Sequence, residues 1–365
     1  MLLASLYMLF PVAPLEMSDR LGLSVGDTGF MFLAVTVGML IGGPFHAYLI
    51  DAYRRRTVCV LSFIGVLVAT AGYALVTTLP QLLALCVVQG LFAGLGTTAG
   101  ITLAIDITHT GLRSHGNLAY SWMIRLGMLI GVTLGVLLYQ WYDFEMIQTV
   151  SIIIGAVGVI CIMQVYVPFR APIVTHLCSF DRYFLPRGWI PAINLAIIAF
   201  IPGLIIPVFH NFSYGVDMGD WSIPFYAFVT VAFPLAIAFH HYVCNNRPVV
   251  SVVSGLVMII LSVFLTDVFP TALAAMLLGF GLGLVTPEFL MMFVRMSEHC
   301  QRCTANMTHF LAWETGLTAG IALSCRWTMI LTHEEIMVYA RVVAVAALLF
   351  FLLFTVPYFK RNSVE

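Results

Sequence analysis

Apolar residues run along this chain in long blocks rather than in short alternations. Eleven blocks of spanning length fall at about 28–50, 57–78, 80–105, 116–140, 146–168, 189–209, 222–243, 248–267, 270–295, 304–330 and 336–358. A bilayer hydrocarbon core about 30 Å thick takes roughly 20 helical residues to cross, so each block predicts one transmembrane helix. Strands of a membrane barrel would alternate over runs of about ten residues, half the length seen here. Residues 1–15 (MLLASLYMLFPVAPL) form a further, shorter apolar run. It lacks the basic leading stretch of a signal peptide and reads as a first transmembrane helix with a truncated start. The expectation is an all-α membrane protein of twelve transmembrane helices.

Composition agrees by exclusion. Apolar residues make up 61% of the 365 and charged ones 9%, against about 25% charged in an average soluble domain. So few charges cannot cover the surface of a soluble globule of this size. That excludes a soluble enzyme, a disordered chain and a nucleic-acid binder. The net charge of −1 names no partner. The eight cysteines lie mostly inside apolar blocks, where cysteine behaves as a small hydrophobe, and they do not read as a disulfide framework.

Connections between blocks are short, and their basic residues are one-sided. Alternate loops and the C-terminus carry Arg54, Arg55, Arg56, Arg113, Arg170, Arg182, Arg187, Arg247, Arg295, Arg302, Lys360 and Arg361, whereas the other loops carry Arg20. The positive-inside rule then puts both termini in the cytoplasm. The longest connection, 169–188, divides the chain into a first six-helix half (1–168) and a second (189–365).

An internal match supports that division. At an offset of 189, Gly90, Gly94, Leu95, Thr97, Arg113, Asn117, Gly127 and Gly131 meet Gly279, Gly283, Leu284, Thr286, Arg302, Asn306, Gly316 and Gly320. These eight identities compare with about three expected by chance. The offset lays the fourth and fifth spans on the tenth and eleventh. The two halves are then pseudo-symmetric parallel repeats about an axis along the membrane normal, the plan of transporters that rock two halves around a midplane site.

After the second span comes Ala47-Tyr-Leu49-Ile-Asp51-Ala-Tyr-Arg54-Arg55-Arg56. It resembles the major facilitator superfamily signature G-x-L-x-D-R-x-G-R-R, with Leu49, Asp51, Arg55 and Arg56 matching and Ala47, Ala52 and Arg54 departing. The stretch Gly279 to Pro287, Arg302 to Asn306 and Glu314 to Gly316 is similar to the tenth and eleventh helices of that superfamily. The resemblance implies the superfamily fold, transport by alternating access, and a conformational latch formed by Asp51, Arg55 and Arg56 near the start of the eleventh helix, where a helix dipole favours an anion. An efflux-type bacterial member is the nearest type. Two departures favour another type: Cys86 replaces an arginine before Gln89-Gly90, and Val132 stands where drug–proton antiporters carry proline.

Ionisable side chains inside a membrane are expensive and need a reason. Arg125 and Glu314 lie about ten residues into their spans, at positions equivalent under the offset of 189. They are candidates for substrate contact or proton coupling, with mutual or neighbouring neutralisation as the plainer alternative. Glu288 follows Pro287, where proline frees a carbonyl, and is a further proton candidate. Gln89, Thr97 and Asn194 are polar groups on helices that would line a cavity, and Trp122 and Trp313 flank the two midplane charges. Each of these can also be ordinary packing.

The sequence-level reading is a secondary transporter of a small organic solute in the cytoplasmic (inner) membrane, by proton-coupled efflux. A sugar or metabolite importer, working by symport or facilitated diffusion, is the alternative. A non-transporting solute sensor or a lipid scramblase on the same fold represents a different class. Expected partners are the solute, the lipid bilayer and protons as coupling ion. Nucleic acid is not expected, and the chain reads as a monomer. No cofactor is expected: a Walker motif is absent, and His299-Cys300-x-x-Cys303 has no second half to complete a zinc site. No nucleophile–base constellation suggests an enzyme.

Overall fold

The computed structural model describes residues 1–107, 113–165, 176–179, 183–209, 219–240, 248–266, 271–298 and 301–363, without the side chains of 113–118, 121, 209, 219–224 and 271. Arg170, Arg182, Arg247, His299 and Cys300 lie outside the described residues, as does most of the connection 169–188. Every regular element among the described residues is helical.

The chain starts with two short helices, α1 (Leu2–Leu9) and α2 (Ala13–Leu21). Pro11 and Pro14 account for the break, since neither supplies a backbone N–H and Pro14 sits at the opening of α2. A single turn, α3 (Val25–Thr28), is capped by the Ser24 side chain and leads into α4 (Phe30–Ala52). There follow α5 (Arg55–Gly72), α6 (Leu79–Ile107), α7 (Arg113–Tyr139), α8 (Phe144–Met163), α9 (Trp189–Phe209), α10 (Gly219–Phe239), α11 (Pro248–Leu265), α12 (Thr271–Arg295), α13 (Arg302–Trp327) and α14 (His333–Phe350). A π-helical turn, Phe351–Thr355, joins α14 to α15 (Val356–Asn362). These ranges track the apolar blocks closely. Nine helices among the described residues are long and apolar enough to cross a membrane.

The helix α13 is not one of the nine: it carries Arg302, Glu314 and Arg326 and many uncharged polar side chains. Its side chains are nonetheless buried on nearly every side from Cys303 to Cys325. The two facts belong together. A helix carrying charge and many polar groups is costly against lipid, so it sits where other helices enclose it.

Small residues let these helices approach. A methyl group on Gly90 would strike the Val35 carbonyl, bringing α6 against α4, and one on Gly279 would strike the Val229 carbonyl, bringing α12 against α10. Gly131 packs on the Ala4 carbonyl, joining α7 to α1, and Gly320 on the Phe200 carbonyl, joining α13 to α9. Glycines paired by the sequence repeat therefore make corresponding backbone contacts. Lipid tails are as apolar as the helices, so close van der Waals packing of this kind drives helix association in a bilayer. Between α8 and α9 the chain returns to the bundle. The Ser179 amide donates to the Pro44 carbonyl at 3.0 Å and the Leu185 amide to Thr308 Oγ1 at 2.8 Å. The connection thus touches both α4 and α13.

Gly131→Ala should destabilise the purified protein by about 1–3 kcal/mol, the range for inserting atoms into a packed core. Gly127→Ala, one turn earlier, should be near neutral, because only the Ala4 nitrogen comes near its methyl group, at 3.9 Å. Thermal unfolding in detergent measures both. Equal losses would contradict the helix contact described for Gly131.

Candidate functional site

Arg125 of α7 and Glu314 of α13 meet in the middle of the bundle, with Arg125 Nη1 3.5 Å from Glu314 Oε1. Both are buried, at 4% and 1% exposure. A third helix completes the group: the Tyr7 hydroxyl of α1 donates to Glu314 Oε2. The guanidinium also lies over the Trp313 ring, 4.4 Å from its centroid, where the negative face of the indole attracts a cation. Arg125, Glu314, Trp313 and Tyr7 form one node joining α1, α7 and α13.

The node is only partly satisfied. Arg125 Nε and Trp313 Nε1 are buried without a hydrogen-bond partner among the described residues, and Glu314 Oε1 has its ion pair but accepts no hydrogen bond there. A buried polar group without a partner is rare in native structures and needs an explanation. A cavity of about 90 Å³ opens between α7, α9, α10, α12 and α13, with Tyr7, Arg125 and Trp313 on one wall. Phe225, Tyr226, Phe233, Leu278, Leu282 and Thr286 are among the other lining side chains. An apolar chamber with a few convergent polar groups is the usual character of a small-molecule site.

Hydroxyl bridges close around this chamber. Thr36 of α4 and Thr318 of α13 share a hydrogen bond of 2.8 Å, and Thr318 also bonds the Glu314 carbonyl at 2.7 Å. Thr133 of α7 meets Thr230 of α10 at 2.9 Å. Further along α13 the contacts are to α6, whose Thr98 also meets His46 of α4. Thr98 Oγ1 lies 3.0 Å from Met307 Sδ and 3.1 Å from His46 Nδ1, and Thr102 Oγ1 lies 3.0 Å from Cys303 Sγ.

The other residues singled out from sequence are placed as follows. Glu288 of α12 pairs with His240 Nε2, and the Trp122 ring sits edge-on to that imidazole, with centroids 6.2 Å apart. Asp51 bonds Arg55 at 3.1 Å, and Arg55 also pairs with Asp106, so one guanidinium ties α4, α5 and α6 together. Arg56 donates to the Met163 and Val165 carbonyls at 3.4 and 3.2 Å, closing the end of α8. Gln89 accepts from Tyr73 at 2.7 Å and donates to Thr70 at 3.0 Å, a polar staple between α5 and α6. Asn194 donates to the Ala347 carbonyl at 3.3 Å, joining α9 to α14. Thr97 lines a separate cavity of about 330 Å³ with Cys59 and Tyr120. Gln89, Asn194 and Thr97 are not among the residues lining the central chamber.

Sequence reasoning missed Tyr7 and His240. Tyr7 carries one of the two hydroxyls in the run 1–15, and that was its available signal. His240 reads from sequence as half of a solvated His-His pair at a helix end.

Removing one member of a buried ion pair costs about 3–5 kcal/mol, because the partner is left charged and uncompensated. Arg125→Met and Glu314→Gln should each destabilise on that scale, and the double variant should lose clearly less than the sum. Thermal unfolding of the three proteins in one detergent tests this. Additive losses would show that the two side chains are not energetically coupled.

Comparison with known proteins follows the same line. None of the curated proteins matches this sequence. The fold is similar to the crystal structure of the human organic anion transporter MFSD10 (TETRAN), with a TM-score of 0.72 and 15% identity over 96% of each chain. The family model of the Major Facilitator Superfamily matches residues 1–320. That match spans most of the chain, which is a membrane transporter protein belonging to the Major Facilitator Superfamily.

Proposed function

We propose that this protein is a proton-coupled secondary transporter of a small organic solute, working by alternating access. Twelve transmembrane segments form two six-helix halves, 1–168 and 189–365, with the connection 169–188 between them and both termini in the cytoplasm. The observation that carries the reading is the Arg125–Glu314–Tyr7 node on the wall of an apolar chamber. Glu314 carries the proton. The surplus of donors at Arg125 and Trp313 favours a solute with an acceptor or anionic group. The structurally similar human protein is an organic anion transporter, in keeping with that chemistry.

Charge balance then sets the coupling. An anionic group can take Arg125 only when Glu314 no longer holds it, and a proton on Glu314 releases that hold. Solute and proton bind together and travel together, as in symport. The efflux reading expected from sequence applies to a different solute. The unbonded Glu314 Oε1 can accept from a donor-bearing solute, which a proton would displace, giving antiport.

Uptake into proteoliposomes separates the two. Acid outside should drive accumulation by symport, and acid inside should drive it by antiport. Under either scheme Glu314→Gln should abolish gradient-driven accumulation, and under symport it should retain solute exchange at equal pH. Full retention of gradient-driven transport by this variant would remove Glu314 from the mechanism.

In this reading Asp51 latches the cytoplasmic ends of the two halves near the start of α13, while its ion pair with Arg55, shared with Asp106, steadies the ends of α4, α5 and α6. Asp51→Asn should shift the population toward an inward-open form at unchanged expression. Labelling of cysteines introduced on the cytoplasmic face measures the shift, and unchanged labelling would argue against a latch.

A further inference from the structure

We infer that Glu288 and His240 form a second proton-binding site, lidded by Trp122 and placed between the central chamber and the cytoplasm. The assignment of that side rests on the topology proposed above. His240 closes α10 at the end that the arginine bias assigns to the cytoplasm, and its Nε2 hydrogen-bonds Glu288 Oε1 of α12. The two side chains come from different helices and are only slightly exposed, at 13% and 6%. Trp122 of α7 packs edge-on against the imidazole, and its own Nε1 is buried without a partner among the described residues.

The position relative to the chamber gives the pair its role. Trp122 precedes Arg125 by three residues, about 4.5 Å along the α7 axis, on the same helix face. Glu288 follows Thr286, which lines the chamber, by two residues. The pair therefore lies about one helical turn from the Arg125–Glu314 node, toward the end where α10 stops. A carboxylate and an imidazole in direct hydrogen bond hold one exchangeable proton between them, and histidine is a common proton shuttle. The site takes that proton from cytoplasmic water, or returns it there, while Glu314 remains closed in by Tyr7 and Arg125. While the chamber is closed the midplane carboxylate has no solvent of its own to exchange with, and the second station gives its proton a route.

Other charges near the pair are accounted for. On α7 the neighbouring cation is Arg125, committed to Glu314. On α12 it is Arg295, two turns beyond Glu288. The helix α9, also in contact with α10, has no ionisable side chain from Trp189 to Phe209. On α13, His309 directs Nε2 to the Thr286 carbonyl at 3.0 Å. Of these groups Arg125 lines the chamber, and Glu288 with His240 reaches toward the helix ends.

The test uses the proton itself as probe and the full chain in nanodiscs. A protonated imidazole quenches an adjacent indole, so Trp122 emission should fall on acidification. The component is isolated by subtracting the Trp122→Phe protein. His240→Gln should abolish it, Glu288→Gln should move its midpoint, and Glu314→Gln should leave it in place. Thermal unfolding of each variant confirms that it is folded, and His240→Asn replaces any His240→Gln protein that is not. Persistence of the pH-dependent component without His240 would overturn the proposal, as would its loss in Glu314→Gln, which would place the titration at the midplane node. Failure of the midplane coupling scheme leaves this signal intact, so the two readings fail separately.

Discussion

Arg125 and Glu314 carry opposite charges into the middle of a bundle whose walls are mainly apolar. The arrangement is affordable only as a pair. Each ion alone would keep an effective penalty of several kcal/mol after relaxation, and mutual attraction with added hydrogen bonds offsets it. Tyr7 supplies one such bond and the Trp313 face a further attraction. Because these groups come from α1, α7 and α13, the pair fixes how three helices sit together. It also explains why α13, too polar to face lipid, lies enclosed through most of its length.

The same pair is poised to change. Arg125 and Trp313 line the chamber and each keeps an unbonded donor, and in the proposed cycle a solute competes for what the carboxylate holds. Around it, the contacts between helices are single hydroxyl bridges and glycine–backbone contacts rather than dense ionic networks. The Thr36–Thr318 and Thr133–Thr230 bonds are each worth about 1 kcal/mol net. In the proposed rocking motion bonds of that size exchange easily, whereas parting the buried ion pair is the larger step.

Much of this was legible in the sequence, for identifiable reasons. Apolar blocks located the helices because a bilayer demands length and dryness together. Arg125 and Glu314 stood out because charge is scarce in such blocks, and the repeat placed them at equivalent depth. That they touch depended on how α7 and α13 face each other, which one-dimensional periodicity does not encode. Tyr7 lies in a run whose pattern gave no reason to expect a carboxylate partner 307 residues away. Gln89 and Asn194 had the chemistry of cavity residues, but local neighbours claimed them, Tyr73 and Thr70 in one case and the Ala347 carbonyl in the other. Low apolarity in α13 goes with its enclosure by other helices.

The central claim is that the midplane carboxylate gains and loses a proton while its arginine changes partners. Infrared difference spectroscopy across a pH step reports this directly, because a protonated carboxyl group has its own carbonyl stretch. The account predicts a carboxyl band in the wild-type difference spectrum that disappears in Glu314→Gln and shifts when Tyr7→Phe removes the hydroxyl donor. A difference spectrum unchanged by Glu314→Gln would contradict it, leaving Arg125 and Glu314 as a fixed structural pair.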